Sequence, residues 1–319
     1  MERSPVYITD MQRSMNQQNI LHNLQVGVIE KELHATGAIL AYDALTEEVK
    51  TSPKPGLVDS IDSGAHRDMN INTFMRSADA VAPYLGIMLI QGFIVPTDGG
   101  ILFREIQKTG IAAERAMYEA TGGVNTHKGA IFTLGLLMAA AGSSLRTGRP
   151  VSRDLFNRVR ELFGGPIGSE IEAALGREPV TFGEKLIHRG NPGIRGEAAS
   201  GFPAITETGL PALCEARAAG AGTEDAKLHV LLNLMANLND TCVIRRGGYA
   251  GSEWLKERAL QILAETEIGS AERRRALAEM NSECIKRNIS PGGAADLLAA
   301  TLLADSLGAE ALERSGEPG

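Results

Sequence analysis

Aromatic side chains are scarce in this sequence: Phe, Trp and Tyr together make 4% of 319 residues. So small a supply argues against sheets of β-branched and aromatic strands. Cysteine is nearly absent. Cys214, Cys242 and Cys284 lie far apart, form no C-x-x-C pair and are odd in number, which excludes a disulfide framework and a zinc knuckle and fits a reducing, cytoplasmic setting. A basic excess is also missing: 32 Lys and Arg stand against 39 Asp and Glu, for a net charge of -7. That excludes a surface gripping nucleic acid throughout, since such surfaces are basic. No apolar run reaches the roughly 18 to 20 residues of a membrane span, Ala130 to Ala141 coming closest, and the first 27 residues lack the apolar core of a secretion signal. No nucleic-acid or membrane partner is expected, and a homo-oligomer is left open. Finally, there is no G-x-x-x-x-G-K-[ST], no G-x-G-x-x-G after a strand and no H-E-x-x-H.

What is present is 43% hydrophobic residues, enough for a substantial core, drawn mainly from Ala, Leu, Ile and Met. Apolar positions recur at helical spacing in Leu33 to Val49, Ala78 to Phe93, Ile111 to Ala120, Ala130 to Ala141, Arg153 to Phe163, Ala226 to Leu238, Glu253 to Ala264, Ala271 to Arg287 and Ala294 to Leu307. The pattern predicts an all-α fold: one multi-helix globular domain over 28–308, a loose N-terminal arm over 1–27 and a flexible tail over 309–319. Gly and Pro gather between the helices, in "SPKPGLVD", "GGVNTHKG", "FGGPIGSE", "RGNPGIRGE", "GFPAITETGLP" and "ISPGGAAD". Loops held by a rigid scaffold are where chemistry is expected.

Five stretches carry the right residue types. In "PKPGLVDSIDSGAHRDMN", Asp59, Asp62 and Asp68 crowd together with Ser63, Gly64 and His66. Such a cluster suits Mg²⁺, which takes one or two carboxylates and completes its shell with water and phosphate oxygens; alternatively it is a solvated loop of capping aspartates. In "GGVNTHKG", Asn125 or Thr126 is placed to N-cap a helix beginning near His127, with Lys128 and Gly129 leaving its first amides open to an anion. An ordinary capped helix with a surface lysine reads the same way. "NISPGGAAD" repeats the pattern, with Ser290 as N-cap and Gly292 and Gly293 baring the first turn, Asp296 then complementing the helix dipole. The charges of "NDTCVIRRGG" read either as an Asp240 to Arg246 ion pair or as ligand contacts, and Arg195 and Glu197 in "GIRGEAASG" share that ambiguity.

In order along residues 45–307, "PKPGLVD", "SGAHRDM", "GVNTHKGAIFTLGLL", "RGE", "DT…RGG" and "SPGGAADLLA" resemble the triphosphoribosyl-dephospho-CoA synthases, which make the prosthetic-group precursor of citrate lyase and malonate decarboxylase. Cys242, Arg245 and Ala294 depart from the family pattern, which favours Asn, His and Ser there, and residues 150–190 match nothing specific. The resemblance implies a reaction in which the ribose 2′-hydroxyl of 3′-dephospho-CoA displaces adenine from C1′ of ATP, the triphosphate staying on the product. The product would pass to a transferase that loads an acyl-carrier subunit. This is glycosyl transfer, for which no Walker loop is needed.

On that resemblance Asp59 and Asp62 would hold Mg²⁺ against the triphosphate, and Asp68, His66 or Glu197 would move protons at an oxocarbenium-like centre. Lys54, Lys128, Arg195 and Arg246 would contact phosphates, with the turn Asn125, Thr126, His127, Lys128 and Gly129 cradling one of them and Ser63, Gly64, Ser290, Gly292 and Gly293 completing the site. Two other functions use the same loops: an Mg²⁺-dependent hydrolase of an ADP-ribose-like N-glycoside, with water as acceptor, and a nucleotide or CoA sensor without turnover.

Overall fold

A long apolar helix sits at the centre of the structure, a computed structural model that describes the chain over residues 10–95 and 98–315. This helix, α4 (Lys128–Thr147), follows α1 (Asp10–Lys50), α2 (Ile71–Ile94) and α3 (Gly99–Thr121). Every residue of α4 from Thr133 to Ser144 is buried, the mark of a helix enclosed on all sides. It packs on α2, α3 and two later helices, α5 (Val151–Leu175) and α12 (Gly292–Ser315). Glycine lets α2 and α4 touch backbone to backbone: a Cβ on Gly92 would lie 1.9 Å from the Ala139 carbonyl oxygen, and one on Gly142 2.0 Å from that of Leu89. A methyl at either place would force the helices apart.

Between α5 and α12 run α6 (Phe182–Ile187), α7 (Gly193–Ala199), a π-helical turn (Ala204–Gly209), α8 (Leu210–Ala218), α9 (Thr223–Asn237), α10 (Thr241–Glu265) and α11 (Ala271–Arg287). There is no strand among the described residues, as an all-α fold requires. The inner helix α12 touches α1, α4, α5, α9 and α10, so its N-terminus opens where several helix ends meet.

The elements run longer than their apolar periodicity. Helix α1 begins at Asp10, so the expected loose arm is helical from there and residues 1–9 lie outside the described residues. The expected tail is likewise helical to Ser315, with 316–319 outside. "FGGPIGSE", expected as a loop, lies inside α5. Phe163 and Ile167 on either side of Pro166 are wholly buried, and that packing outweighs the hydrogen bond proline removes. "GFPAITETGLP" is also helical from Ala204 on, as the π-turn and the start of α8. Helices α2 and α4 are long and apolar enough, by length and composition alone, to cross a membrane, because each continues past the run visible in sequence. Both bury much of that surface against neighbouring helices.

Candidate active site

The loop between α1 and α2 is folded by its own aspartates. The Asp59 carboxylate accepts the backbone N–H groups of Lys54 at 2.8 Å, Ile61 at 2.7 Å and Asp62 at 3.0 Å. Asp62 accepts the Gly64 N–H at 2.6 Å and the Asn281 side-chain amide at 2.9 Å, while Asn281 Oδ1 accepts the Gly56 N–H at 2.8 Å, tying the loop to α11. Both carboxylates are therefore occupied by N–H donors, and neither lines a cavity described here. Asp59 and Asp62, expected to hold the metal, are scaffold residues in this structure. Ser63 and Gly64 lie outside the cavity linings with them.

That loop turns Lys54 inward. Its ammonium, 1% exposed, donates to the Glu48 carbonyl at 2.8 Å and to the Glu48 carboxylate. The pair sits at the bottom of a cavity of 470 Å³, a size suited to a small-molecule ligand. The same cavity gathers Lys54, His66, Asp68, the whole Asn125 to Gly129 turn, Arg246, Ser290 and Gly292, all expected from sequence. It adds Glu48, Arg245 and Asp296, which sequence reasoning did not assign to a site.

The α4 start differs in detail from expectation. Its N-cap is His127, which makes no side-chain capping bond, and Asn125 Oδ1 instead accepts the Lys128 N–H at 3.3 Å. Asp296 of α12 takes the Ala130 amide, and a Cβ on Gly129 would lie 2.0 Å from Asp296 Oδ2. Glycine at 129 is what lets this carboxylate seat itself on the helix end. The anion expected at this helix start is thus met by the protein's own Asp296. Lys128 pairs with Glu114 at 2.8 Å and stays half-exposed at the cavity mouth.

Ser290 is not a cap either. Helix α12 starts at Gly292, and its Ala294 N–H is taken at 3.0 Å by Asp240, which also accepts the Cys242 N–H at 2.7 Å as N-cap of α10. One buried carboxylate caps two helices, and burial pushes its pKa up. The Asp240 to Arg246 pair does not form. Arg246 donates to the Ala65 carbonyl at 3.0 Å and to His66 Nδ1 at 3.2 Å, and His66 Nε2 meets Ser290 Oγ at 2.8 Å. With both ring nitrogens engaged, His66 is a poor proton carrier. Burial and the Arg246 charge lower its pKa to about 4. Asp68 lies 3.9 Å from His66 Nδ1 at the mouth, its side chain 65% exposed.

Three expected residues fall elsewhere. Glu197 and Gly293 line an adjoining cavity of 610 Å³, which has no Lys or Arg in its lining and has Asp240 in its wall. The Glu197 carboxylate accepts the Ala204 N–H at 2.9 Å, and burial raises its pKa. Arg195 lines a third, mostly apolar groove, 3.7 Å from Glu170 and 5.9 Å from the Phe132 ring centre.

Charge is layered in the cationic cavity. Lys128, Arg245 and Arg246 are exposed at the mouth, while Glu48, Lys54 and His127 form a buried floor that Asp296 adjoins. Burial raises the pKa of Glu48, and burial followed by repulsion from Glu48 and Asp240 raises that of Asp296 well above the carboxylate range. A polyanion fits the mouth and a centre gaining positive charge fits the floor.

The comparisons agree with this chemistry. A family model described as ATP:dephospho-CoA triphosphoribosyl transferase matches residues 34–315. A Vibrio cholerae protein named probable 2-(5''-triphosphoribosyl)-3'-dephosphocoenzyme-A synthase is 42% identical over 267 residues, 83% of this chain and 85% of its own. The synthase of that name from Pectobacterium atrosepticum is 43% identical over 265 residues, covering 82% and 85%, and one from Klebsiella pneumoniae is 40% identical over 287 residues, covering 86% and 96%. No solved structure matches. The order of the motifs, the cavity they build and the match over most of the chain converge: the chain belongs to the ATP:dephospho-CoA triphosphoribosyl transferase family.

Proposed function

We propose that this protein transfers the 5-triphosphoribosyl group of ATP to the ribose 2′-hydroxyl of 3′-dephospho-CoA and releases adenine. The observation that carries the reading is the single cavity with Lys128, Arg245 and Arg246 at its mouth and two raised-pKa carboxylates at its floor. The triphosphate lies among the three cations and the ribose C1′ points inward. As the bond from C1′ to adenine N9 breaks, the positive charge on the sugar opposes the burial that raises the pKa of Glu48 and Asp296, and their ionised forms stabilise it. Asp68, whose carboxylate makes no hydrogen bond among the described residues, takes the proton of the attacking hydroxyl; Glu197 serves the adjoining cavity instead.

Mg²⁺ accompanies ATP in this reading. It is carried by the triphosphate at the cavity mouth rather than by the floor, where Glu48 and Asp296 face the ribose, or by Asp59 and Asp62, which N–H donors saturate. When bound, the ion neutralises phosphate charge. We further assign the protein to the cytoplasm and its product to a transferase that loads an acyl carrier.

Adenine release, followed by chromatography with and without dephospho-CoA, tests the reading. One adenine per acceptor consumed is expected. Release from ATP alone would make the protein a hydrolase, and tight binding without release a sensor.

A further inference from the structure

His127 is 3% exposed, lines the cationic cavity, and has one ring nitrogen, Nε2, with no hydrogen-bond partner. Buried polar atoms are rarely left so. The two others among the described residues, Ser144 Oγ and Arg258 Nε, line none of the three cavities.

The surroundings fix which proton Nε2 carries. Thr126 Oγ1 lies 2.7 Å from Ser77 Oγ, which lies 2.7 Å from His127 Nδ1. Thr126 Oγ1 has no other partner among the described residues, so its proton goes to Ser77 Oγ. The single Ser77 proton then goes to Nδ1, and the neutral ring keeps its own proton on Nε2. The ring is held by an edge contact with Phe74, 5.0 Å between centres, while the His127 backbone N–H meets the Met117 sulfur at 3.2 Å. Burial, then the Lys54 charge, lower its pKa to about 3, so it is neutral at neutral pH.

A fixed neutral N–H donor, buried on the floor of a cavity whose cations stand at the mouth, is not placed for a phosphate, which those cations already serve. It suits a group that is neutral in the ground state and gains electron density as a bond breaks. Resting on the reaction proposed above, we infer that His127 Nε2–H donates a hydrogen bond to a ring nitrogen, N7 or N3, of the departing adenine. Ser77 and Thr126 are positioning residues that hold the tautomer.

The balance is simple. The C1′–N9 electron pair leaves with adenine, the acceptor oxygen bonds C1′, and the proton lost by the acceptor hydroxyl equals the one adenine gains, through solvent. His127 lends the hydrogen bond and keeps its proton, since losing it would leave an imidazolate.

Adenine release from ATP, 7-deaza-ATP and 3-deaza-ATP is measured with wild type, His127→Phe, His127→Gln and Ser77→Ala, alongside calorimetric binding of adenine and its two deaza analogues. Wild type is expected to process one of the two analogues at least about 10-fold more slowly in kcat with KM little changed. His127→Phe should lose on the order of 100-fold in kcat on ATP and no longer distinguish ATP from that analogue. His127→Gln, whose amide donates from nearly the position of Nε2, should recover part of the loss, and Ser77→Ala should lower kcat while shrinking the analogue penalty. Equal turnover of all three nucleotides by wild type, an undiminished penalty in His127→Phe, or a raised KM with kcat intact would each overturn the assignment. If His127→Phe does not fold, the wild-type and His127→Gln comparisons decide. The binding arm needs no turnover: adenine bound more tightly than one deaza analogue by wild type, but not by the variant, supports the contact even if the reaction assignment fails.

Discussion

Replacing Lys54 by Met removes the ammonium that neutralises the cavity floor. Lys54 is 1% exposed and Glu48 4%, so the Glu48 carboxylate is left buried without its counter-ion, and its carbonyl loses a donor. Breaking a buried pair from one side costs about 3–5 kcal/mol. With an unfolding entropy of about 2.1 cal/mol/K per residue, a chain of this length loses about 4–8 °C in Tm. The Glu48 pKa is already raised in the wild type, chiefly by burial, and Lys54 opposes that rise. Without Lys54 it rises further. A raised folded-state pKa gives stability that is present below the unfolded value and lost as pH climbs through the folded one, so the deficit of Lys54→Met should be larger at pH 8 than at pH 5. Adding Glu48→Gln should restore most of the loss, because the orphaned charge is gone. Thermal unfolding followed by circular dichroism, at both pH values, measures Tm for all four states of the cycle. A Tm drop under about 2 °C, or a double variant no more stable than the single, would refute the buried pair.

Three further outcomes follow from the same floor and its supports. Asp240→Ala uncaps α10 and α12 together and leaves buried amides unpaired, which should cost about 2–4 kcal/mol in urea unfolding; a loss near that of one exposed cap would contradict the double role. Asp296→Asn should stabilise the protein at pH 7.5 while abolishing adenine release. The gain should fade toward pH 4 and below, where the unfolded chain also binds the proton and the raised pKa of Asp296 no longer costs stability, and a gain independent of pH would count against the charge argument. Gly129→Ala should displace the Asp296 carboxylate, which the new methyl would meet at 2.0 Å, and lower kcat by on the order of 100-fold with helicity unchanged; full activity would show that this seat does not matter.

Much of the site was legible because it sits in short contiguous turns. "NTHKG" and "SGAHRDM" carry their polar residues within a few positions, and a helix start fixes where such residues point. What escaped depends on partners remote in sequence. Glu48 reads as the solvated end of an amphipathic helix until Lys54 folds back on it. Asp240 and Arg246 look like a local pair, but Asp240 caps an amide 54 residues away and Arg246 reaches His66, 180 residues away. The aspartates of the first loop had the composition of a metal site, yet backbone amides and Asn281 claim them. Helix lengths were underestimated because periodicity fades where a helix is apolar all round, as in α4, or crosses Gly and Pro, as in α5. Arg195 and Glu197 share a motif, but their side chains leave α7 toward different cavities.

A crystal structure with ATP and Mg²⁺ bound tests the central claim most directly. The account predicts triphosphate density among Lys128, Arg245 and Arg246, with the ribose C1′ facing Glu48 and Asp296 and the adenine ring against His127. Nucleotide density in the adjoining cavity beside Glu197 and Asn237, with the cationic one left to solvent, would contradict it.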